Sequence, residues 1–121
     1  MADVTIKKIE DFDNYGNQFF YAGKGLGVTS FGLNVSKLPP GWDKYPDHNH
    51  EADNQEEVYM VLEGDAVLEA DKKKWDLKSG LMVRVGPKQK RKITPGKNGV
   101  TLVMIGGVPD VAWSKKKPSK W

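Results

Sequence analysis

The sequence predicts an all-β fold, a sandwich or a barrel, and two observations carry this prediction. Short runs rich in β-branched and aromatic residues alternate with turn signals along the whole chain. No long stretch shows the hydrophobic period of an amphipathic helix. Many short strands separated by turns that contain Gly or Pro are typical of sandwiches and barrels. A length of 121 residues fits a single domain, which we expect to span residues 1–110.

Eight runs are predicted to be strands, and they are residues 4–9, 18–22, 28–38, 57–62, 66–70, 81–85, 91–94 and 100–105. Residues 11–15 can form a helical turn at most. The glycine-rich residues 23–27 are predicted to be a turn, because they lack the strand–helix context of a phosphate-binding loop.

Glycine and proline mark the predicted turns between these runs. Gly64 can take the positive φ that a tight hairpin requires, and Gly80 ends a turn before an apolar run. Residues 95–99 are predicted to form a longer hairpin loop, and residues 71–74 another turn. The run 57–62 is apolar on both faces after its first residue, which predicts a strand buried on both sides.

The composition is that of a soluble, turn-rich globular protein. Hydrophobic residues make up 38% of the chain and charged residues 29%, which argues against a disordered chain. No apolar run approaches the ~20 residues of a membrane span, and the N-terminus has no signal-peptide core. The absence of cysteine excludes a disulfide framework, a thiolate metal site and a cysteine nucleophile. These features together predict a cytoplasmic protein.

The net charge of +3 comes from a short C-terminal tail. Residues 111–121 contain four lysines and no acid, so they contribute +4 and the rest of the chain carries −1. Outside the tail, basic and aromatic residues do not interleave in the way that nucleic-acid binding favours. We therefore predict a solvated basic tail at residues 111–121, and no nucleic-acid or membrane partner.

The chain has only two histidines, His48 and His50. On an extended strand this spacing sends both imidazoles to one face. Glu57 shares its face with the apolar residues Tyr59 and Val61, where an unpaired charge would be costly. Two imidazoles and one carboxylate suit a divalent first-row metal with open coordination positions. We therefore predict that His48, His50 and Glu57 bind one such metal, which can be Fe, Mn, Ni or Zn.

The spacing of these residues resembles the first motif of the cupin superfamily, which is a Gly, a His-x-His, a Glu and a second Gly. Here the motif reads Gly41, His48-Asn49-His50, Glu57 and Gly64. The gap of six residues between His50 and Glu57 is longer than the family's usual gap. Residues 51–56 are therefore similar to a small insertion in the family pattern.

The second cupin motif is degraded in the region that starts at Gly80. Gly86 stands at the expected proline, Lys88 at the expected glycine, and Arg91 at the fourth metal ligand, which the family pattern makes a histidine. The resemblance covers roughly residues 26–107. It implies a double-stranded β-helix, or jelly-roll barrel, and the pairing of two chains into a homodimer.

Arg91 leaves two outcomes open, because arginine stays protonated and is not a metal ligand in proteins. In the first, the metal keeps three protein ligands, and Arg91 faces the open side and binds an anionic substrate. In the second, Arg91 occupies the cavity, pairs with Glu57 and repels a metal. Tyr59 can donate a hydrogen bond or a proton to a substrate, or it can simply pack inside the barrel. Arg91 and Tyr59 are the candidate catalytic residues.

Other residues near the first motif are weaker candidates. Glu56 points to the opposite face of the predicted strand from Glu57, and Gln55 reaches the site only if its loop folds inward. Asp47 or Glu51 is a candidate for orienting an imidazole through a hydrogen bond. A Ser-His-Asp hydrolase is not favoured, since the sequence has neither a spare histidine nor a G-x-S-x-G motif.

Three function hypotheses follow from these residues and from the resemblance. The first is a metal-dependent enzyme, dioxygenase-, isomerase- or lyase-like, whose metal acts as a Lewis acid toward a small oxygen-rich or anionic substrate. The second is a non-catalytic barrel that binds or senses a small anion through Arg91. The third is a structural dimer with a relic metal site. The fold by itself does not choose the substrate or the metal.

Overall fold

The computed structural model describes residues 2–109, which form seven strands, one short α-helix and one 3₁₀ turn. The strands are β1 (Asn14–Tyr15), β2 (Phe19–Phe20), β3 (Gly32–Leu38), β4 (Glu56–Ala70), β5 (Lys73–Lys78), β6 (Met82–Val85) and β7 (Lys92–Gly107). The helix α1 is Ala22–Leu26, and the 3₁₀ turn is Ile9–Asp11. The predicted basic tail lies outside the described residues. No helix within residues 2–109 is long and apolar enough to cross a membrane.

The long strands β4 and β7 pair antiparallel along most of their length and form the spine of the fold. The first half of β4 also pairs with β6 and its second half with β5, while β3 pairs with the second half of β7. The strand order is therefore β1-β2-β3-β7-β4-β5, with β6 added to β4. Each of the two long strands therefore pairs with different strands along its two halves, and the curved sheet forms an all-β jelly-roll barrel. The predicted fold class is confirmed.

Bulges bend the spine strands at places where the sequence predicts turns. Two register shifts between β4 and β7 lie close to Gly64. Gly64 has φ +80°, and a Cβ there would run into the carbonyl oxygen of Gly99 on β7. The predicted positive φ is confirmed, but it serves a bulge inside a continuous strand, which bends the sheet, and not a hairpin. The hairpin loop predicted at residues 95–99 is also wrong, because these residues belong to β7.

The β4–β5 hairpin turns at Asp71 and Lys72, which have φ values of 50° and 61°. Two successive residues with positive φ are typical of the type I′ turn that short hairpins favour, so the predicted turn is confirmed in a shorter form. Strand β5 is not predicted by the sequence, because lysine and aspartate are depleted in strands and pairing with β4 overrides their propensity. Residues 4–9 are not a strand. Residues 23–26 belong to α1 and Gly27 caps it, so the simple turn predicted at residues 23–27 is wrong.

Inward-facing side chains fill the barrel. Tyr59 and Val61 of β4, and Ile93 and Leu102 of β7, are each at most 2% exposed. A second apolar cluster joins Phe12 and Ala22 to Phe20 of β2 and Val35 of β3. This cluster holds the N-terminal segment and α1 against β3.

The outer face of β4 is partly open. Leu62 is 49% exposed, and Met60 is only partly buried. No second layer covers this face within the described residues. The prediction that residues 57–62 are buried on both sides is therefore wrong.

Candidate metal centre

The segment that carries the two histidines is fixed by backbone hydrogen bonds to the segment before β7. The His48 N–H donates to the Arg91 carbonyl oxygen at 2.9 Å, and the Arg91 N–H donates to the His48 carbonyl oxygen at 2.8 Å. The His50 N–H donates to the Pro87 carbonyl oxygen at 2.8 Å. The two imidazole rings lie next to each other, with centroids 5.1 Å apart. Main-chain contacts therefore set the position of both rings.

Strand β4 brings the carboxylate to these rings from the inward face of the barrel. Glu57 Oε1 lies 2.9 Å from His50 Nε2 and 3.9 Å from His48 Nε2. One ligand atom from each of His48, His50 and Glu57 lies within 4.8 Å of the other two. These three side chains are close enough to hold a metal ion together.

The far side of each ring is held by a group that can only accept a hydrogen bond. His48 Nδ1 lies 3.0 Å from the Pro46 carbonyl oxygen, and His50 Nδ1 lies 3.2 Å from both carboxylate oxygens of Asp53. Each Nδ1 must therefore carry the proton, and in a neutral imidazole the Nε2 lone pair is then left free. The two Nε2 lone pairs and the Glu57 carboxylate oxygen point toward one another. This arrangement is favourable only when a cation, either a proton or a metal ion, lies between them. The donor set fits a divalent metal.

Arg91 lies on the buried side of the same carboxylate. Its side chain is 0% exposed, and Nη2 lies 3.4 Å from Glu57 Oε1. Nη1 donates a hydrogen bond of 2.9 Å to the Gln89 carbonyl oxygen, while Nε and Nη2 have no hydrogen-bond partner among the described residues. The ion pair of the second predicted outcome is thus present. Arg91 does not line the open cavity beside His50 and Glu57.

Tyr59 is the second buried partner of Glu57. Its hydroxyl donates a hydrogen bond of 2.8 Å to Glu57 Oε1. Burial raises the pKa of Tyr59, so its hydroxyl keeps the proton and remains a donor. Burial likewise raises the pKa of the neighbouring Tyr45 to about 12. Both phenols are therefore neutral at any physiological pH.

The charges of the site stabilise each other. Burial by itself raises the pKa of Glu57, but the two histidines, Tyr59 and the charge of Arg91 outweigh it, and the net pKa is lowered. The Glu57 carboxylate in turn raises the pKa of His48, with burial opposing the effect. Glu57 is therefore ionised at neutral pH, as a metal ligand must be.

Asp53 is a site residue that the sequence does not predict. Asp47 and Glu51 are the expected partners of an imidazole, but within the described residues neither contacts one. Asp47 lies 3.7 Å from Lys90 Nζ instead. The turn at residues 51–54 places Asp53 under His50, three positions along the chain. A sequence signal existed in this spacing, because Asp side chains commonly bond to nearby groups in turns.

The rival candidates beside Glu57 face other partners. Glu56 lies on the outer face and forms an ion pair with Arg84, with Nε and Oε2 2.8 Å apart. Gln55 donates a hydrogen bond of 3.2 Å to Asp53 Oδ2. Gln55 therefore contacts the residue that orients His50, and Glu56 is turned away from the site.

A cavity of about 580 Å³ opens onto His50 and Glu57. Its wall includes residues of α1, of β3 and of β7. The two ligand candidates at its base can therefore be reached from outside the barrel.

Comparisons with known proteins agree with the fold. Residues 34–106 match the sequence model of the cupin domain. No curated protein matches the chain in sequence.

Solved structures of similar fold include cupins of different kinds. A cupin protein from Bacteroides fragilis is 18% identical, with a TM-score of 0.74 over 100% of both chains. A sugar phosphate isomerase of the cupin superfamily from Silicibacter pomeroyi is 24% identical, with a TM-score of 0.65 over 74% of this chain and 57% of that one. A cupin 2 conserved barrel domain protein from Salinispora arenicola is 16% identical, with a TM-score of 0.57 over 67% and 66%. At these identities the likeness shows the fold alone.

Proposed function

This chain belongs to the cupin family, and on that premise we propose that it is a metal-binding cupin that acts on a small oxygen-rich or anionic substrate. The observation that carries the proposal is the convergence of His48 Nε2, His50 Nε2 and Glu57 Oε1 within 4.8 Å. With Nδ1 of each ring bound to an acceptor, Nε2 is the atom left to bind a metal. The proposed cofactor is one divalent first-row ion, Fe, Mn, Ni or Zn, since two imidazoles and a carboxylate accept most of this series.

The protein's own residues have distinct roles in this proposal. A bound metal would supply Lewis-acid chemistry and a template for substrate oxygens. His48, His50 and Glu57 hold it, while the Pro46 carbonyl and Asp53 fix the two rings through Nδ1. Arg91 and Tyr59 contact Glu57 from the buried side, so we propose that they act by positioning that carboxylate. The cavity beside His50 and Glu57 holds the substrate and limits the water around it.

The reaction belongs to one of three classes, dioxygenase-, isomerase- or lyase-like. A sugar phosphate isomerase is among the structures of similar fold, and the fold by itself does not choose among the three classes. A homodimer and a cytoplasmic location remain predictions from the sequence, as does a single domain of residues 1–110. The partly open outer face of β4, with Leu62 49% exposed, supports pairing of two chains.

A second candidate function is favoured by one observation, the Arg91 guanidinium 3.4 Å from Glu57 Oε1. A fixed cation beside the carboxylate weakens the attraction of a metal to it. In that case the protein is a metal-free barrel that binds a small anion, or a structural dimer with a relic site.

Metal analysis of the protein without an affinity tag separates these candidates. We expect about one divalent metal per chain after reconstitution, and the loss of this metal in His50→Ala and Glu57→Gln. Glu56→Gln is the matched control, because it makes the same change one residue away on the outer face, and it should keep the metal. The proposal is overturned if wild-type protein binds no metal, or if Glu57→Gln binds as much as Glu56→Gln.

A further inference from the structure

The cavity beside the candidate metal centre is built partly from residues outside the family pattern. Six of the twelve residues that line it precede residue 34, where the match to the cupin domain begins. They come from α1, from the stretch between α1 and β3, and from the first residues of β3, and they include Lys24 and Phe31. This wall therefore lies outside the residues that match the cupin domain, and it can set which ligand the cavity accepts.

Glycines hold this wall close to the barrel. Gly23 packs on β3, where an added Cβ would lie 3.1 Å from the Leu33 carbonyl oxygen. Gly25 packs on the Phe12 ring, which an added Cβ would clash with. Gly27 ends the helix with φ +81°, in the left-handed conformation that glycine favours at this position. Lys24 lies between two glycines that fix the helix backbone, so its position beside the cavity is fixed as well.

Lys24 gives the cavity an unmatched positive charge. Among the residues that line the cavity, Lys24 carries a positive charge and Glu57 a negative charge. The charge of Glu57 is met by Arg91 at 3.4 Å, and its Oε1 also accepts a hydrogen bond of 2.8 Å from Tyr59. Lys24 forms no ion pair within residues 2–109. A cavity with one unmatched lysine attracts an anion.

The other residues that line the cavity indicate which chemical groups the rest of the ligand carries. Asn34 and Gln55 offer amide groups, which bind hydroxyl or carbonyl groups. Phe31, which is 44% exposed, and Met104 offer an apolar surface. Ligand sites of this kind combine an apolar wall with a few polar groups that fix orientation.

We propose that this cavity binds a small organic anion, a carboxylate or a phosphate ester, whose charged group contacts Lys24. Its apolar part packs on Phe31, and its other end faces His50 and Glu57. This proposal names the substrate class and the residue that selects it. It rests on the proposed function, which places the reacting end of the ligand at His50 and Glu57. The buried Arg91 has no part in this selection.

Three probes of matched shape test the proposal, namely benzoate, phenyl phosphate and benzamide. Calorimetric or NMR titration at low salt should show that at least one of the two anions binds more tightly than neutral benzamide. Lys24→Gln should weaken anion binding about threefold to fivefold, as expected for an exposed charge contact. Lys24→Glu should weaken it further, and Lys24→Arg should restore it. Lys73→Gln is the control, because Lys73 is exposed on β5 and does not line the cavity.

The outcomes separate this inference from the proposed function. The inference is overturned if benzamide binds as tightly as the anions, if no probe binds, or if Lys24→Glu binds anions as the wild type does. Repeating the titrations on protein stripped of metal tests whether anion binding also depends on the metal. Anion binding that depends on Lys24 but needs no metal, in a protein that takes up none, leaves the inference standing and removes the metal proposal. If the protein binds metal normally but its affinity for the anions does not depend on Lys24, the metal proposal stands and the inference is overturned.

Discussion

Glu57 has a closed side and an open side, and both contact the same oxygen atom. On the closed side, Arg91 and Tyr59 are 0% and 1% exposed. On the open side, the side chains of His48 and His50 are 27% and 22% exposed. Solvent therefore reaches Glu57 from the side of the two histidines. We expect the closed side to contribute mainly to stability and the open side to binding.

The largest expected effect is on the closed side. Arg91→Met should lower the free energy of unfolding by about 3 kcal/mol, because it removes one partner of a buried ion pair. Urea denaturation of the metal-free protein measures this loss. Lys90→Met is the matched control. Its ion pair with Asp47, 3.7 Å away, is exposed to solvent, so we expect the free energy of unfolding to change by less than about 0.5 kcal/mol. Equal losses in the two variants would mean that the closed side does not stabilise the fold.

The next effect is on the open side and concerns metal affinity. Asp53→Ala removes the carboxylate that holds His50 Nδ1 at 3.2 Å. Loss of such an orienting partner typically weakens metal binding by about 10- to 100-fold. Competition with a chelating dye measures the affinity, and Asp47→Ala, which removes a nearby carboxylate that contacts no imidazole, should leave it unchanged. An unchanged affinity in Asp53→Ala would show that the backbone alone orients the ring.

The smallest effect is the dependence of stability on pH in the metal-free protein. The pKa of Glu57 is lowered from its usual 4.5, so its contribution to stability is present above that pH and is lost as the pH falls through the folded-state pKa. The pKa of His48 is raised from its usual 6.5, so its contribution is present below that pH and is lost as the pH rises through the folded-state pKa. We expect maximal stability between about pH 4.5 and 6.5.

Denaturation curves from about pH 3 to 9 with a chelator present measure this profile. Added metal should remove the loss on the alkaline side, since it binds the deprotonated imidazoles. His48→Asn should flatten the same alkaline limb without metal. If the limb persists in that variant, another group is responsible for it.

The fold class and the convergence of the two histidines with Glu57 are predictable from the sequence. Strand alternation fixes the face of each side chain locally, so Glu57 and Tyr59 of β4 can be placed without knowing the rest of the fold. The same alternation is expected for His48 and His50, but they lie outside the named strands, and His48 forms an isolated bridge with Arg91. The inward direction of Arg91, beside Ile93, follows from the same alternation. Its 0% exposure confirms that direction.

The missing parts depend on contacts between distant segments. Gly64 has the positive φ expected of a hairpin, but whether a glycine serves a turn or a bulge depends on the strand that lies across from it, here near Gly99. Strand β5 forms because β4 offers it an edge and not because of its own residues. Asp53 contacts His50 through a turn whose geometry the sequence does not specify. Lys24 joins the cavity only because α1 packs on β3.

The reciprocal hydrogen bonds between positions 48 and 91 involve main-chain atoms alone. Such bonds do not depend on which side chain either residue carries. The imidazole that the family pattern places at position 91 can therefore be exchanged for a guanidinium while the histidine segment keeps its place. The reverse exchange, Arg91→His, would introduce a third nitrogen donor, and with it a fourth ligand, on a backbone that is already anchored. The architecture thus lets evolution change the chemistry of the centre without rebuilding the scaffold that surrounds it.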